Sequence, residues 1–232
     1  MKYKPLLVAH RGFSGRYPEN TRLAFAQAKK LGVDGFELDI QLSRDKKVIV
    51  FHDETLERTT NGSGLVGGKT LAELKKLDAG GGEKIPTLAE TLKQFKDGPQ
   101  LYIELKYHGK GEYKPLVNAF LKTRDRQKMK YPPVICSFNW PALEYLRKRD
   151  KNIGIEVLHI RKPFTSVLKF AGKIKAWGLF TNTKEISPKK VTLAHKQDLN
   201  VFAWTVNDRQ IAARCRLAMV DGVIGNYPDK LR

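Results

Sequence analysis

Short apolar runs alternate with helix-periodic stretches along almost the whole chain, and this alternation limits the fold more than any other property of the sequence. Apolar or β-branched runs cover residues 6–9, 35–42, 100–106, 133–137, 152–158, 175–180, 200–205 and 221–224. Apolar residues at helical spacing cover 20–31, 87–95, 113–123, 139–149, 165–171, 188–197 and 208–217, with Asn20 placed to cap the first of these. Strands followed one by one by helices predict a parallel α/β architecture. Eight such strands in 232 residues favour a closed (β/α)8 barrel over an open doubly wound sheet. An open nucleotide-binding sheet would also want a G-x-G-x-x-G turn between strand and helix, and none of the glycine clusters here reads so in that place. One domain over residues 1–232 is expected. The rhythm breaks once. After the second strand, residues 48–51 make a further short strand, and residues 53–86 then run rich in Thr, Asn and Gly, with only 71–77 helical in pattern. A small insertion at about 53–86 is predicted, because a long connection in a compact domain is usually functional or a subdomain.

In such a barrel the C-terminal ends of the strands carry the chemistry. His10 and Arg11 close the first strand, His52 closes the extra strand, Glu104 and Lys106 close the third, and Trp204 lies at the end of the seventh. Glu37 and Asp39 sit two apart on the second strand, between Phe36, Leu38 and Ile40, so both acids point to one face. Two carboxylates on an otherwise apolar strand are costly without a cation nearby. Glu37, Asp39 and Glu104 form an all-oxygen set, suited to Mg2+ or Ca2+ rather than zinc. A Glu-x-Asp pair alone is better explained by ion pairing with Arg11 and Lys106. Three acids on adjacent strands, with two histidines beside them, favour a metal. Arg11 and Lys106 then suit an anionic oxygen, and His10 and His52 suit general acid–base work near neutral pH. That set of groups points to phosphodiester cleavage. Trp204 fits a core aromatic and an apolar wall for a small alcohol equally well.

The same residues, in the same order, resemble the glycerophosphodiester phosphodiesterase family. The resemblance is carried by His10-Arg11-Gly12, Pro18-Glu19-Asn20-Thr21, Glu37-Leu38-Asp39, His52-Asp53, Glu104-Leu105-Lys106, Trp204-Thr205-Val206-Asn207 and Asp221-Gly222-Val223, with Arg58-Thr59-Thr60-Asn61-Gly62 in the insertion. It spans essentially the whole chain. It implies a TIM barrel, one divalent cation (Mg2+ or Ca2+), and hydrolysis of glycerophosphodiesters to sn-glycerol 3-phosphate and an alcohol. It also implies His10 and His52 as the acid/base pair, and Glu37, Asp39 and Glu104 as metal ligands. Arg11 and Lys106 would bind phosphate, Trp204 would pack on glycerol, and Glu19 and Asn20 would support the site. The chain departs from the family at Gly225, where a hydroxyl residue often precedes the Asn-Tyr-Pro segment; this removes support for a polar substrate contact from that position.

The net charge of +19 is uneven. Residues 106–130 hold eight Lys or Arg against Glu112 and Asp125, and residues 147–175 hold nine against Asp150 and Glu156. A basic face implies an anionic partner or simply a well-solvated surface. The helices after strands three, four and five would be neighbours, so their cations could form a flank that docks on anionic membrane. Two other readings compete with the leading one. A lysophospholipase D would share the chemistry but need an apolar groove, for which the insertion and the loop 159–164 are the places. A non-catalytic basic barrel that binds anions or nucleic acid is supported by charge alone, since no nucleic-acid motif appears. Cys136 and Cys215 imply two structural thiols in a reducing compartment. The start, Met1 to Ala9, has too short an apolar run for a signal peptide, so a cytoplasmic protein is expected.

Overall fold

A computed structural model describes residues 3–107 and 113–231. Met1 and Lys2 of the signal-like start, and Lys110 and Glu112 of the basic run, lie outside the described residues. Eight parallel strands close into a barrel: β1 (Leu6–His10), β2 (Gly35–Leu42), β4 (Gln100–Leu105), β5 (Val134–Ser137), β6 (Ile155–His159), β7 (Gly178–Asn182), β8 (Asn200–Trp204) and β9 (Gly222–Gly225). Each pairs with the next, and β9 returns to β1, with Val8 opposite Ile224. The intervening helices are α1 (Arg22–Lys30), α3 (Leu88–Gln94), α4 (Tyr113–Arg124), α5 (Trp140–Arg149), α6 (Phe164–Lys173), α7 (Pro188–His195) and α8 (Arg209–Leu217). The chain is thus a (β/α)8 barrel, and the last strand is followed by a 3-10 turn, Pro228–Lys230.

Strand parity sorts the side chains. On β2 the odd positions face the interior, and Phe36, Leu38 and Ile40 face the helices within the main core. The interior holds a smaller cluster of Val8, Tyr102, Val134, Cys136, Leu158, Phe180, Phe202 and Ile224. Its three rings meet at 5.4–5.6 Å between centroids and fill the barrel below the mouth. Glu156 enters this interior from β6, and burial, with the Asp221 charge adding to it, pushes its carboxyl well above the usual carboxylate range. Gly178 makes the room: a Cβ there would lie 2.5 Å from Glu156 Oε2.

The short strand β3 (Val48–Val50) pairs antiparallel with β2, with Ile40 opposite Val50. β1 leaves that edge of β2 after the pair His10 and Glu37, and β3 takes it over. The segment beyond packs around its own cluster of Leu56, Val66, Leu74, Ala79 and Ile85 with Ile49 and Phe51. It includes α2 (Leu71–Lys76), whose Thr70 and Glu73 form a capping box.

Two local expectations change. The cap of α1 is Thr21, whose side chain accepts from Ala24 N; Asn20 is held at φ 57 with its side chain turned into the barrel wall. His159, expected in a groove-forming loop, ends β6, is fully buried and bonds Thr181 Oγ1 at 3.0 Å.

Candidate active site

Three acids meet at the mouth because β2 and β4 are adjacent and in register. Asp39 stands opposite Glu104, and Glu37 is one inward step below Asp39. One ligand oxygen from each lies within 4.8 Å of the others, and all three residues are buried. Burial and the neighbouring Asp39 and Glu104 charges push Glu37 well up. Burial likewise raises Glu104 to about 7, against the opposing pull of Lys106. Burial would raise Asp39 as well, but Arg11, Lys106 and His52 hold it below its usual value. Among the described residues Asp39 Oδ1 is a buried acceptor with no hydrogen bond. A crowded, buried, all-oxygen set with an orphaned carboxylate oxygen fits a hard divalent cation.

Two cations flank these acids. Arg11 Nε lies 3.3 Å from Asp39 Oδ2, and its Nη1 donates to Glu19 at 2.9 Å. Lys106 Nζ lies 2.9 Å from Glu104 Oε1 and 3.8 Å from Asp39 Oδ1. Both therefore rest on the carboxylates, as the ion-pair reading expects, yet they leave Asp39 Oδ1 unsatisfied. Asn20 Nδ2 donates to Asp39 Oδ2 at 2.8 Å, which fixes that carboxylate from outside the cavity.

Each histidine is anchored through Nδ1. His10 Nδ1 meets Asn226 Oδ1 at 2.6 Å, and its Nε2 lies 3.8 Å from Glu37 Oε2. His52 Nδ1 meets Asp53 Oδ1 at 2.5 Å. An oxygen acceptor on Nδ1 places the proton there in the neutral ring, so Nε2 is the nitrogen presented to the site. Burial, with Arg11 beside it, lowers His10 to about 4. Burial lowers His52 too, opposed by Asp39 and Asp53. His10, Arg11, Glu37, His52, Glu104, Lys106 and Trp204 all line one cavity of about 110 Å3, with Phe138 and Leu158 on its apolar side. Trp204 stands edge-to-face with Phe138 at 5.6 Å, and its Nε1 has no hydrogen-bond partner among the described residues.

Several contributors were not assigned roles from sequence. Asp53 orients His52, and Arg58 from the insertion grips Asp53 and Glu19 with four hydrogen bonds of 2.5–2.9 Å. Hydrogen bonds from Arg58 and His52 hold Asp53 far below its usual value. Gln41, on the same face as Glu37 and Asp39, donates to the carbonyls of Phe51 and Asp53 on either side of His52. The His52-Asp53 adjacency was the available signal for the first of these. Position 225 is also explained: it is outward in parity, and a Cβ there would lie 2.0 Å from Val206 O. No side chain fits, and Asn226 is the polar residue of that segment that reaches the site.

The glycerophosphoryl diester phosphodiesterase family model matches residues 10–230. A glycerophosphodiester phosphodiesterase of Caldanaerobacter subterraneus subsp. tengcongensis is 37% identical, over 98% of this chain and 96% of its own. One from Bacillus subtilis is 36% identical over 97% and 84%. An Oleispira antarctica phosphodiesterase, solved in complex with the product sn-glycerol-3-phosphate, superposes with a TM-score of 0.92 at 30% identity, covering 98% of this chain and 95% of that one. With a barrel of the same shape and a match running from the first site histidine to the final turn, this chain belongs to the glycerophosphoryl diester phosphodiesterase family and is a phosphoric diester hydrolase.

Proposed function

We propose that the protein hydrolyses glycerophosphodiesters to sn-glycerol 3-phosphate and an alcohol. In this reading Glu37, Asp39 and Glu104 hold one divalent cation, Mg2+ or Ca2+, and His10 and His52 move the protons. The observation that carries it is the convergence of three buried carboxylates beside one small cavity, which Glu37 and Glu104 line together with two Nδ1-anchored histidines and two cations. The bound cation would polarise the phosphoryl oxygens and offset charge building on them. Arg11 and Lys106, now resting on the acids, hold the remaining phosphate oxygens.

His10, kept neutral by burial, takes the proton of the attacking hydroxyl. That hydroxyl is the glycerol 2-OH; its oxygen bonds to phosphorus as the bond to the alcohol oxygen breaks. His52 donates its proton to that leaving oxygen, and the Asp53 carboxylate supports its charged form. Water then opens the cyclic phosphate with the two proton roles reversed, which restores both rings. Trp204 and Phe138 wall the glycerol and exclude water from its apolar edge. A cavity of about 110 Å3 suits a small polar group, well below the roughly 300 Å3 of a drug-sized ligand site. This favours glycerophosphodiesters over acyl-bearing lysophospholipids. Two free buried thiols favour the cytoplasm, and recovery of the protein outside it on cell fractionation would correct that placement.

The deciding assay supplies a panel of glycerophosphodiesters with Mg2+, Ca2+ or EDTA and measures glycerol 3-phosphate. Release with one or both ions and none with EDTA is expected. Full turnover in EDTA, or release of choline phosphate instead of glycerol 3-phosphate, would overturn the reading.

A further inference from the structure

A parallel barrel has two unlike ends. The mouth carries the strand C-termini, and the base is made of the loops leading into the strands. At the base, Lys96, Arg126, Lys128, Lys130, Lys151 and Lys175 are exposed on the loops entering β4, β5, β6 and β7. The exposed acids of the entry loops, Asp34, Asp97, Asp125 and Asp198, are outnumbered by the exposed cations there. A groove of about 740 Å3 between the ends of α4 and α5 is lined by Lys122, Arg126, Arg149 and Lys151. Its two acids, Asp125 and Asp150, are both taken by Arg124 at 2.6 Å. The cations that the sequence assigns to a helical flank thus concentrate at the C-terminal ends of the helices, which lie at the base.

The same end exposes large apolar side chains. Leu217 is 82% exposed, and Trp177 and Met219 are each 49% exposed. Trp177 lies over Gly154 of the neighbouring loop. Tyr3 is also exposed and donates to Val220 O at 2.5 Å, beside Met219. Tyr131 is exposed on the loop that carries Lys128 and Lys130.

Exposed apolar groups and cations that share one end of a molecule mark an interaction surface. Lysine and arginine attract anionic headgroups, indole and phenol rings settle at the bilayer interface, and aliphatic side chains enter just below it. A nucleic acid would engage the cations and rings but leave Leu217 and Met219 without a partner. We infer that the base of this barrel docks on an anionic lipid surface, with Trp177, Leu217 and Met219 inserted and the lysines on the headgroups. The mouth then faces the water, and substrate arrives from solution rather than from the bilayer beneath. This docking is independent of the reaction assigned to the mouth.

The test is co-sedimentation of the full chain with vesicles of phosphatidylcholine alone or with phosphatidylglycerol, at low and high salt. Binding to the anionic vesicles only, released by salt, is expected. Lys128→Glu with Lys130→Glu and Lys151→Glu should weaken it about a hundredfold, and Leu217→Ser with Met219→Ser several-fold. Both sets should leave turnover of a water-soluble glycerophosphodiester unchanged. Equal binding to both vesicle types, no binding, or variants that bind as tightly as the parent would overturn the inference. So would duplex DNA that displaces the vesicles and binds the Leu217→Ser, Met219→Ser variant as tightly as the parent, since that outcome marks a general polyanion surface.

Discussion

The guanidinium of Arg58, reaching in from the insertion, joins the two halves of the site. It fixes Asp53, which orients His52, and Glu19, which holds Arg11. Arg58→Ala is expected to lower kcat roughly 10–100-fold, the usual scale for a group that orients a catalytic residue, with a smaller change in KM and an unchanged melting temperature. Arg58→Lys should recover only part, because a point charge cannot serve two carboxylates as the planar fork does. Steady-state kinetics on glycerophosphocholine would check both; an Arg58→Ala enzyme with parental kcat would remove the residue from the account. His10→Ala should lose on the order of 10²–10⁴ in kcat while its fold, read by circular dichroism, is retained.

Helix ends and strand edges show which elements the sequence made legible. Thr87 caps α3 in a box with Glu90, so Thr87→Ala should cost about 1 kcal/mol in urea unfolding and leave activity intact. Gly225→Ser should cost about 1–3 kcal/mol because its Cβ would collide with Val206 O on the neighbouring chain segment. The strand–helix alternation was readable because it depends on periodicity within each segment. Boundaries were less so: the strand expected at 175–180 begins at Gly178, since Lys175 turns at φ 49 and Trp177 lies exposed in the loop. Asn20 is a favourable N-cap by type, but its hydrogen bond to Asp39 draws it away and Thr21 takes the position. The acids, histidines and cations of the mouth were legible because barrel strands end in their chemistry. Asn226 and Arg58 were not, because their bonds to His10, Asp53 and Glu19 depend on how loops meet after the barrel closes. Nor does sequence order alone show that the cations and apolar side chains of separate loops share the base.

The whole molecule gathers three buried acids at its mouth, so its stability should depend on pH and cation together. Without a cation, Glu37 and Glu104 have raised folded-state values, Glu104 at about 7 against the ordinary 4.5 of a free glutamate. A raised carboxyl gives its full stabilising contribution below its unfolded value and loses it as pH climbs through the folded value. The metal-free protein should therefore weaken as pH climbs from 4.5 to about 7, while cation affinity rises over the same range because binding must displace those protons. At about one hundred times Kd a cation adds ~2.7 kcal/mol, a melting shift on the order of 5–10 °C. Differential scanning calorimetry should show this gap widening from pH 6 to pH 8; a gap that narrows with pH would contradict the assigned ligands. Between the two ends stand the packed rings of Tyr102, Phe180 and Phe202, with the buried Glu156 alongside. That layer works as an insulator. It closes the barrel axis with packed apolar rings, so a surface charge met at the base is kept apart from the histidines at the mouth. Where the protein rests and how fast it turns over can then change independently, each through substitutions at its own end.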